Sequence, residues 1–520
     1  MMMRYALLDE PLIRVRFKDG TIRDHTLPEV IVALLRDAVL GFEALQPHQQ
    51  QAWHSFLVQL VAMAVARITG GAFPDEAEPW RRALVELAGG EEAAWYLVVS
   101  DLSRPAFLQP PVPEGSLEAA RYRADVQTPD QLDVLITAKN HDLKARRIVQ
   151  PRPEHWMFAL VTLQTMEGFL GRGNYGIVRM NGGFGNRPLV GLTRALSPGA
   201  HFRRDVQVLL DARPSFADRY DLGGHALLWV LPWDGKKQRA IELKECDPYF
   251  IEICRRIRFL EEAGRLVCWR TNTDGPRVAA PKALNGITGD PWTPVEKSDK
   301  PKALTVSDSG FTYRLLQQVF LSGDYEPPVA LAFREDEKDG VYLVARTLVR
   351  GQGKTGGLHF RIVPVSQAAA RWLSGSEERR TKLARRAEQR VRLAADVQRK
   401  VLYPALAALL SGGRDARVEW EQVTPWIEAF DRAVDAQFFD RLWASVEQDE
   451  EIARRDWERF LLTEARRQFA VAEHGMPVAS AHHWRARSRA HAIFEARARE
   501  VLPYAFNATR SLSTEQEVRS

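Results

Sequence analysis

The chain is poor in cysteine, with Cys246, Cys254 and Cys268 the only three among 520 residues. No two stand as Cys-x-x-Cys, which speaks against a zinc ribbon. A sparse, odd set also speaks against a disulfide framework and fits a reducing compartment. Long apolar runs are missing too. The longest, FLVQLVAMAVA at 56–66, contains a glutamine and is too short to span a bilayer. It reads as a buried core helix. The opening MMMRYALLDEPLIRVR has no apolar core followed by a small-residue cleavage site, so a cytoplasmic chain with no membrane partner is expected. Catalytic signatures are equally scarce, with no His-x-x-x-His zinc motif, nucleophile elbow or Cys-His signature. A phosphate-binding P-loop is approached at RGQGKTGG (350–357), but its first glycine would have to be residue 348, which is Leu348. Its flanks, GVYLVARTLVR and LHFRIVPV, read as two strands. A P-loop runs from a strand into a helix, so these glycines read as a hairpin tip.

The length exceeds what a single core usually serves, and 45% hydrophobic with 27% charged residues is ordinary for a globular protein. Up to about 365, helical patterns such as LPEVIVALLRDAVLGF mix with short strands, without a βαβ alternation. Beyond it the character changes to four long helical segments. The first opens near SGSEERR, where Ser374 and Glu377 have capping-box spacing. Leu383, Ala387, Val391, Ala394, Val397 and Val401 form its apolar stripe, and Pro404 should kink or end it. The second opens at Thr424-Pro425, read as an N-cap followed by proline, and buries Ile427, Phe430, Val434 and Phe438. The third carries Trp457, Phe460, Leu461 and Phe469. The fourth carries Trp484, Ile493, Phe494 and Leu502. The expected fold class is α+β. A large, irregular mixed α/β domain over 1–365 precedes a C-terminal four-helix bundle over 366–520.

Net charge is +5, which permits a nucleic-acid partner without requiring one. Its distribution says more, since residues 371–400 hold ten Lys/Arg against four Asp/Glu. Arg379, Lys382, Arg386 and Arg390 recur at i, i+3, i+7 and i+11, one stripe on the first bundle helix. Such a stripe suits a phosphate backbone as well as a solvated face. GFLGRGNYG (168–176) would let backbone amides approach a ligand closely. TAKNHDLKARR (137–147) surrounds Asn140 and His141 with Lys139, Lys144, Arg146 and Arg147. His141-Asp142 is the pair used by metal-dependent phosphohydrolases, but it lies in this polar run and reads as part of a basic loop.

Several stretches together resemble the CasA family, large subunits of the type I-E CRISPR Cascade complex. They are PAFLQP (105–110), LITAKNHDLK (135–144), NYGIVRMNGG (174–183), ECDPYFIEICRRIR (245–258), LNGITGDPWTP (284–294), RGQGKTGGLH (350–359) and FFDRLWASVE (438–447). They occur in the family's order over nearly the whole chain. The resemblance implies a non-catalytic subunit of an antiviral guide-RNA complex, without cofactor or metal. Base pairing reads the target while the protein reads the short flanking PAM, as in other guide-RNA effectors. CasA does so from the minor groove, helps open the duplex for R-loop formation, and recruits a separate helicase-nuclease. The implied partners are guide RNA, the other Cascade subunits and double-stranded target DNA.

By position, the resemblance gives Gly168, Gly171, Gly173 and Asn174 the glycine-loop role and Arg277 or Lys282 a basic finger. Gln352, Gly353, Lys354 and Thr355 take the tip of a duplex-opening wedge. Lys139, Asn140, His141 and Lys144 take the loop docking near the guide RNA. Some family members carry a cysteine cluster after the CDP segment. Here only Cys246 and Cys254 stand there, which puts a zinc site in doubt. A phosphohydrolase using His141 and Asp142, and a scaffold that never touches DNA, are the alternatives.

Overall fold

The computed structural model describes residues 5–506, apart from 134–147, 181–185, 335, 336, 338, 352, 353, 413–416 and 477–481. At 282, 350, 351 and 354–356 it describes the backbone alone. The chain divides into two compact units. One comprises Met1–Phe311, Asp324–Glu337 and Val341–Val363; the other comprises Thr312–Gly323, Lys338–Gly340 and Pro364–Ser520.

The first unit is built from small sheets around buried helices. An antiparallel sheet takes β1 (Ile13–Phe17) between β2 (Ile22–His25) and β3 (Val39–Phe42). Helix α1 (Leu27–Leu35) follows at once because Thr26 and Glu29 form a capping box, with Thr26 N–H donating to Glu29 Oε2 at 2.7 Å. Helix α2 (Gln50–Arg67) contains the long apolar run, and 14 of its residues are buried, so it is a core helix on every face. It packs on α3 (Pro153–Met166) and α4 (Pro198–Ala212). Trp53 meets Phe158 edge-on at 5.1 Å between ring centroids.

Much of this unit's backbone is neither helix nor sheet, and buried side chains supply its hydrogen bonds. Gln164 is fully buried. It donates to the carbonyls of Leu108 and Arg255 and accepts from the N–H groups of Cys254 and Arg255, all at 2.9 Å. Gln109 donates to Leu97 O at 2.9 Å and accepts from Phe259 N at 2.6 Å.

Two further sheets frame the region considered below. In one, β4 (Arg123–Val126) and β6 (Arg256–Glu262) flank β7 (Arg265–Thr271). The turn between β6 and β7 places Ala263 and Gly264 at φ +50° and +74°, as a tight two-residue hairpin requires. In the other, β8 (Val341–Gly351) lies between β5 (Leu189–Thr193) and β9 (Lys354–Val365).

The second unit is helical. Helix α5 (Glu377–Asp396) is capped by Ser376, whose hydroxyl accepts from Arg379 N at 3.4 Å; the cap is Ser376 rather than Ser374. The helix continues through a π-turn, Val397–Leu402, into α6 (Tyr403–Leu410). Pro404 follows directly on the π-turn, the local rewinding by which a continuous helix accommodates a residue that cannot donate to the preceding turn. The remaining long helices are α7 (Thr424–Ala444), α8 (Glu450–Gly475) and α9 (His483–Val501). Thr424 is the first residue of α7 rather than its cap, and its hydroxyl donates to Trp420 O at 3.0 Å.

The expected apolar stripes of α5, α7 and α8 are buried, except for the half-buried Val391. Phe469 and Phe494 stack at 4.9 Å. Trp484, carried by the fourth segment, is 80% exposed. Tyr313 and Arg314 belong to this unit through Asp431, whose Oδ1 accepts from Arg314 at 2.7 Å and from Gln398 at 2.8 Å. The mixed α/β class with a helical C-terminal region is therefore as expected. Among the described residues no helix is long and apolar enough to cross a membrane.

Candidate nucleic-acid interface

The loop at 168–176 is a fixed structure built on glycine. Gly171 and Gly173 stand at φ +110° and +88°, values L side chains rarely adopt. A Cβ on Gly176 would lie 2.4 Å from the carbonyl carbon of Gly168, so the loop's two ends cross too closely for any side chain there. Its base is closed by Ile177 N donating to Glu167 O at 2.9 Å, and its tip by Asn174 N donating to Gly171 O at 3.0 Å. Arg255 donates to the carbonyls of Tyr175 and Gly168 and ties the loop to the start of β6. So held, the loop turns Phe169, Leu170 and Arg172 outward.

Asn174 also lines a polar cavity of about 910 Å³ bounded by the strand β4, the β6–β7 hairpin and the 234–239 turn. Seven basic side chains line it against four acidic ones. The excess matters less than which cations are committed. Arg256 pairs with Glu114 at 2.7 Å. Arg270 makes two bonds to Asp125 at 2.8 and 2.9 Å. Lys236 and Arg239 lie 3.7 and 3.5 Å from Asp234. Arg255 is spent on loop carbonyls. Arg121 and Arg123 are exposed and have no ion pair among the described residues. Arg121 holds φ +58°, a conformation that costs a non-glycine residue energy and clusters at functional sites. The pair was not singled out in the sequence. Its signal was the RYR alternation, with Tyr122 buried between two outward arginines.

The hairpin of β8 and β9 carries the wedge candidates. Its root is fixed by Tyr342–Arg346 pairing antiparallel with Thr193–Leu189; beyond that register β8 continues toward the tip without β5. Lys354 opens a strand, whereas a P-loop lysine opens a helix, so nucleotide binding of that kind is excluded by the backbone. Gln352 and Gly353 lie outside the described residues, as do the side chains of Lys354 and Thr355. The docking-loop residues Lys139, Asn140, His141 and Lys144, and Asp142 with them, also lie outside.

Two expected contacts are corrected. Arg277 is no surface finger, being 2% exposed. It donates to the carbonyls of Leu228, Leu231 and Pro232 at 3.0–3.1 Å, and burial pushes its pKa down to about 10. Lys282 lies in a short 3₁₀ turn, Lys282–Leu284. The basic stripe on α5 is only half a surface. Arg379 and Lys382 are exposed, but Arg386 and Arg390 are 4% and 5% exposed. Arg386 pairs with Glu450 at 2.6 Å. Arg390 lies over the Trp457 ring at 5.1 Å, and burial with the neighbouring Arg386 lowers its pKa to about 9. Both share the face of Leu383, Ala387 and Ala394, so helical spacing aligned them with the core.

The cysteines are buried and free. Burial raises the pKa of Cys246 to about 12 and that of Cys254 to about 11, and raises Cys268 as well. Among the described residues they join no cluster of metal-ligating groups.

A family profile covering residues 6–468, nine-tenths of the chain, makes this a CRISPR-associated protein. That profile is CRISPR-associated protein Cse1 (CRISPR_cse1), and the chain belongs to this family, as the CasA resemblance implied. Membership places it in CRISPR antiviral defence, as a large subunit of Cascade. Solved structures with the same fold include Thermus thermophilus CasA (Cse1), at 17% identity and TM-score 0.64, covering 96% of this chain and 99% of that one. Thermobifida fusca Cse1 matches at 15% identity and TM-score 0.66, covering 97% and 99%. A chain of a CRISPR RNA-guided surveillance complex matches at 12% and 0.62, covering 96% and 99%. Among curated proteins none matches significantly.

Proposed function

We propose that this chain is the PAM-reading subunit of its surveillance complex and has no catalytic role. It approaches target DNA from the minor groove beside the loop at 168–176. The observation that carries the reading is the pairing of that rigid loop with Arg121 and Arg123, exposed cations that have no ion pair among the described residues. Backbone amides at the glycines suit close approach to groove edges, while free arginines suit phosphates. Gly168, Gly171, Gly173 and Asn174 read the groove, and the hairpin tip with Gln352, Gly353, Lys354 and Thr355 helps open the first base pairs. Unstacking a step costs a few kcal/mol, offset by new contacts to the opened strands. Lys282, Arg379 and Lys382 remain candidates for backbone contacts, while Arg277, Arg386 and Arg390 do not. The 139–144 loop meets the guide RNA or a neighbouring subunit, and a helicase-nuclease acting in trans degrades the target.

The test is DNA binding by the reconstituted complex carrying Arg121→Ala and Arg123→Ala together. Each lost phosphate contact should reduce the slope of log affinity against log salt by roughly 0.9, with PAM preference unchanged. Gly173→Ala, which drives a Cβ to 2.9 Å from Asn272, should instead weaken PAM discrimination. If both variants bind every target as the parent does, the loop and its arginines are not the interface.

A further inference from the structure

Three side chains outside that interface converge within the first unit. His54 projects from α2; His201 and Asp205 stand one turn apart on α4, the helix packed against it. His54 Nε2 lies 2.9 Å and His201 Nε2 3.4 Å from the same oxygen, Asp205 Oδ2. The two imidazole rings lie 4.2 Å apart, tilted by 32°, and the three ligand atoms are all within 4.8 Å of one another. A tetrahedral zinc ion with arms of about 2.0–2.1 Å sets its ligand atoms roughly 3.3 Å apart, so both separations from Oδ2 are near the edge of such a site.

The carboxylate is over-subscribed on one side and idle on the other. Oδ2 also accepts from Trp292 Nε1 at 2.7 Å. Oδ1 is buried and has no hydrogen bond among the described residues. Arg204, whose Nη1 is 3.6 Å from Oδ1, is itself engaged by Glu337 at 2.8 Å. Both imidazole nitrogens face Oδ2, the oxygen an ion between them would take, and a fully buried carboxylate is costly unless a cation shares it. Both histidine side chains are 16% exposed, which leaves a way in for an ion and a water.

We propose that His54, His201 and Asp205 bind one divalent transition-metal ion, zinc by the chemistry of two imidazole nitrogens and one carboxylate oxygen, with water as fourth ligand. The ion clamps α2 to α4. Its role is structural, and Trp292 orients the carboxylate from the outer shell. His-x-x-x-Asp was visible in the sequence, but nothing there linked it to His54.

The test uses the full chain, freed of metal with a chelator and titrated with Co²⁺ and then Zn²⁺. One equivalent of Co²⁺ should give the strong visible bands of four-coordinate cobalt, and one equivalent of Zn²⁺ should abolish them and raise the melting temperature. Asp205→Asn also removes an acceptor for Trp292 and could fail to fold, so His54→Gln is the primary variant, with exposed His225→Gln as control. His54→Gln should lose the bands and weaken zinc by more than the roughly tenfold to hundredfold that an outer-shell loss costs. An absence of cobalt bands in the parent, or equal zinc affinity in parent and His54→Gln, overturns the proposal.

Discussion

In the helical unit most of the backbone satisfies itself, and side chains such as Arg386 and Glu458 meet only the groups at helix ends and turns. Helices α5 to α9 bond internally, and their side chains are left to fill the core, as Phe430, Val434 and Phe438 do. In the first unit, stretches such as Leu97–Gln109 have no continuous ladder, and their carbonyls are met by Gln109, Gln164, Arg258 and Arg277. Burial pushes Arg258 down to about 10, yet its guanidinium donates to Val99 O at 2.8 Å. Irregular backbone can be buried only when its polar groups find partners, here side chains. The first unit thus adds polar side chains to its apolar core as architecture, where the helical unit relies mainly on apolar ones. The exposed arginines beside the glycine loop belong to the first kind of unit, where most arginines are already employed and a pair with no ion pair among the described residues stands out.

Three substitutions would break or sharpen this contrast. The largest effect is expected from Gln164→Ala, which strands two carbonyls and two N–H groups in the core. At about 1–3 kcal/mol for each unsatisfied group, with partial relaxation, about 4 kcal/mol of stability should be lost in urea unfolding. A loss below that of an ordinary surface mutation would mean the irregular backbone does not depend on this amide.

Next comes Glu252→Gln. Burial raises the Glu252 carboxyl from 4.5 to about 7, against the pull of Arg179 and the Val178 N–H. Its folded pKa exceeds its unfolded one, so its contribution is fully present below about 4.5 and is lost as pH rises through about 7. The glutamine variant should flatten the fall in stability between about pH 5 and pH 8 by on the order of 2 kcal/mol. Identical pH profiles for the two proteins would remove Glu252 from the account.

The smallest effect is expected from Arg386→Met on the bundle, about 1–2 kcal/mol: its acidic partner Glu450 is half exposed and can turn to water while methionine fills the space, so the main loss is the bond to the buried Ser445 carbonyl. Thermal melting checks this. A cost as large as that of Gln164→Ala would show that the bundle too relies on polar pairing.

What could be read from the sequence follows the same division. Periodicity exposed the bundle because each stripe repeats within one helix, as Leu383, Ala387, Val397 and Val401 do. The hairpin around 352 was legible from its β-branched flanks. Where a side chain's fate depends on chain far away, the pattern misled. Arg386 and Arg390 repeat like a solvent stripe yet meet Glu450 and Trp457, some sixty residues on. Arg277 looked available in a Pro/Gly-rich stretch because the carbonyls it caps, at 228–232, are remote in sequence. Gln109 and Gln164 gave no signal at all, since polar residues are mostly exposed. Within the candidate interface the glycine loop was legible from composition, whereas Arg121 and Arg123 matter only because neighbouring cations are already paired.

The three buried thiols have a practical consequence. Thiolate is the species that attacks maleimides and disulfide reagents, and Cys246 and Cys254, with pKa values near 12 and 11, hold almost none at neutral pH. Cys268, also buried with its pKa raised, is equally shielded. The folded chain is chemically quiet toward such dyes without any cysteine being removed. A single cysteine placed at the exposed Arg172 position would take up a fluorophore alone, giving the glycine loop a reporter that brightens or dims as nucleic acid arrives.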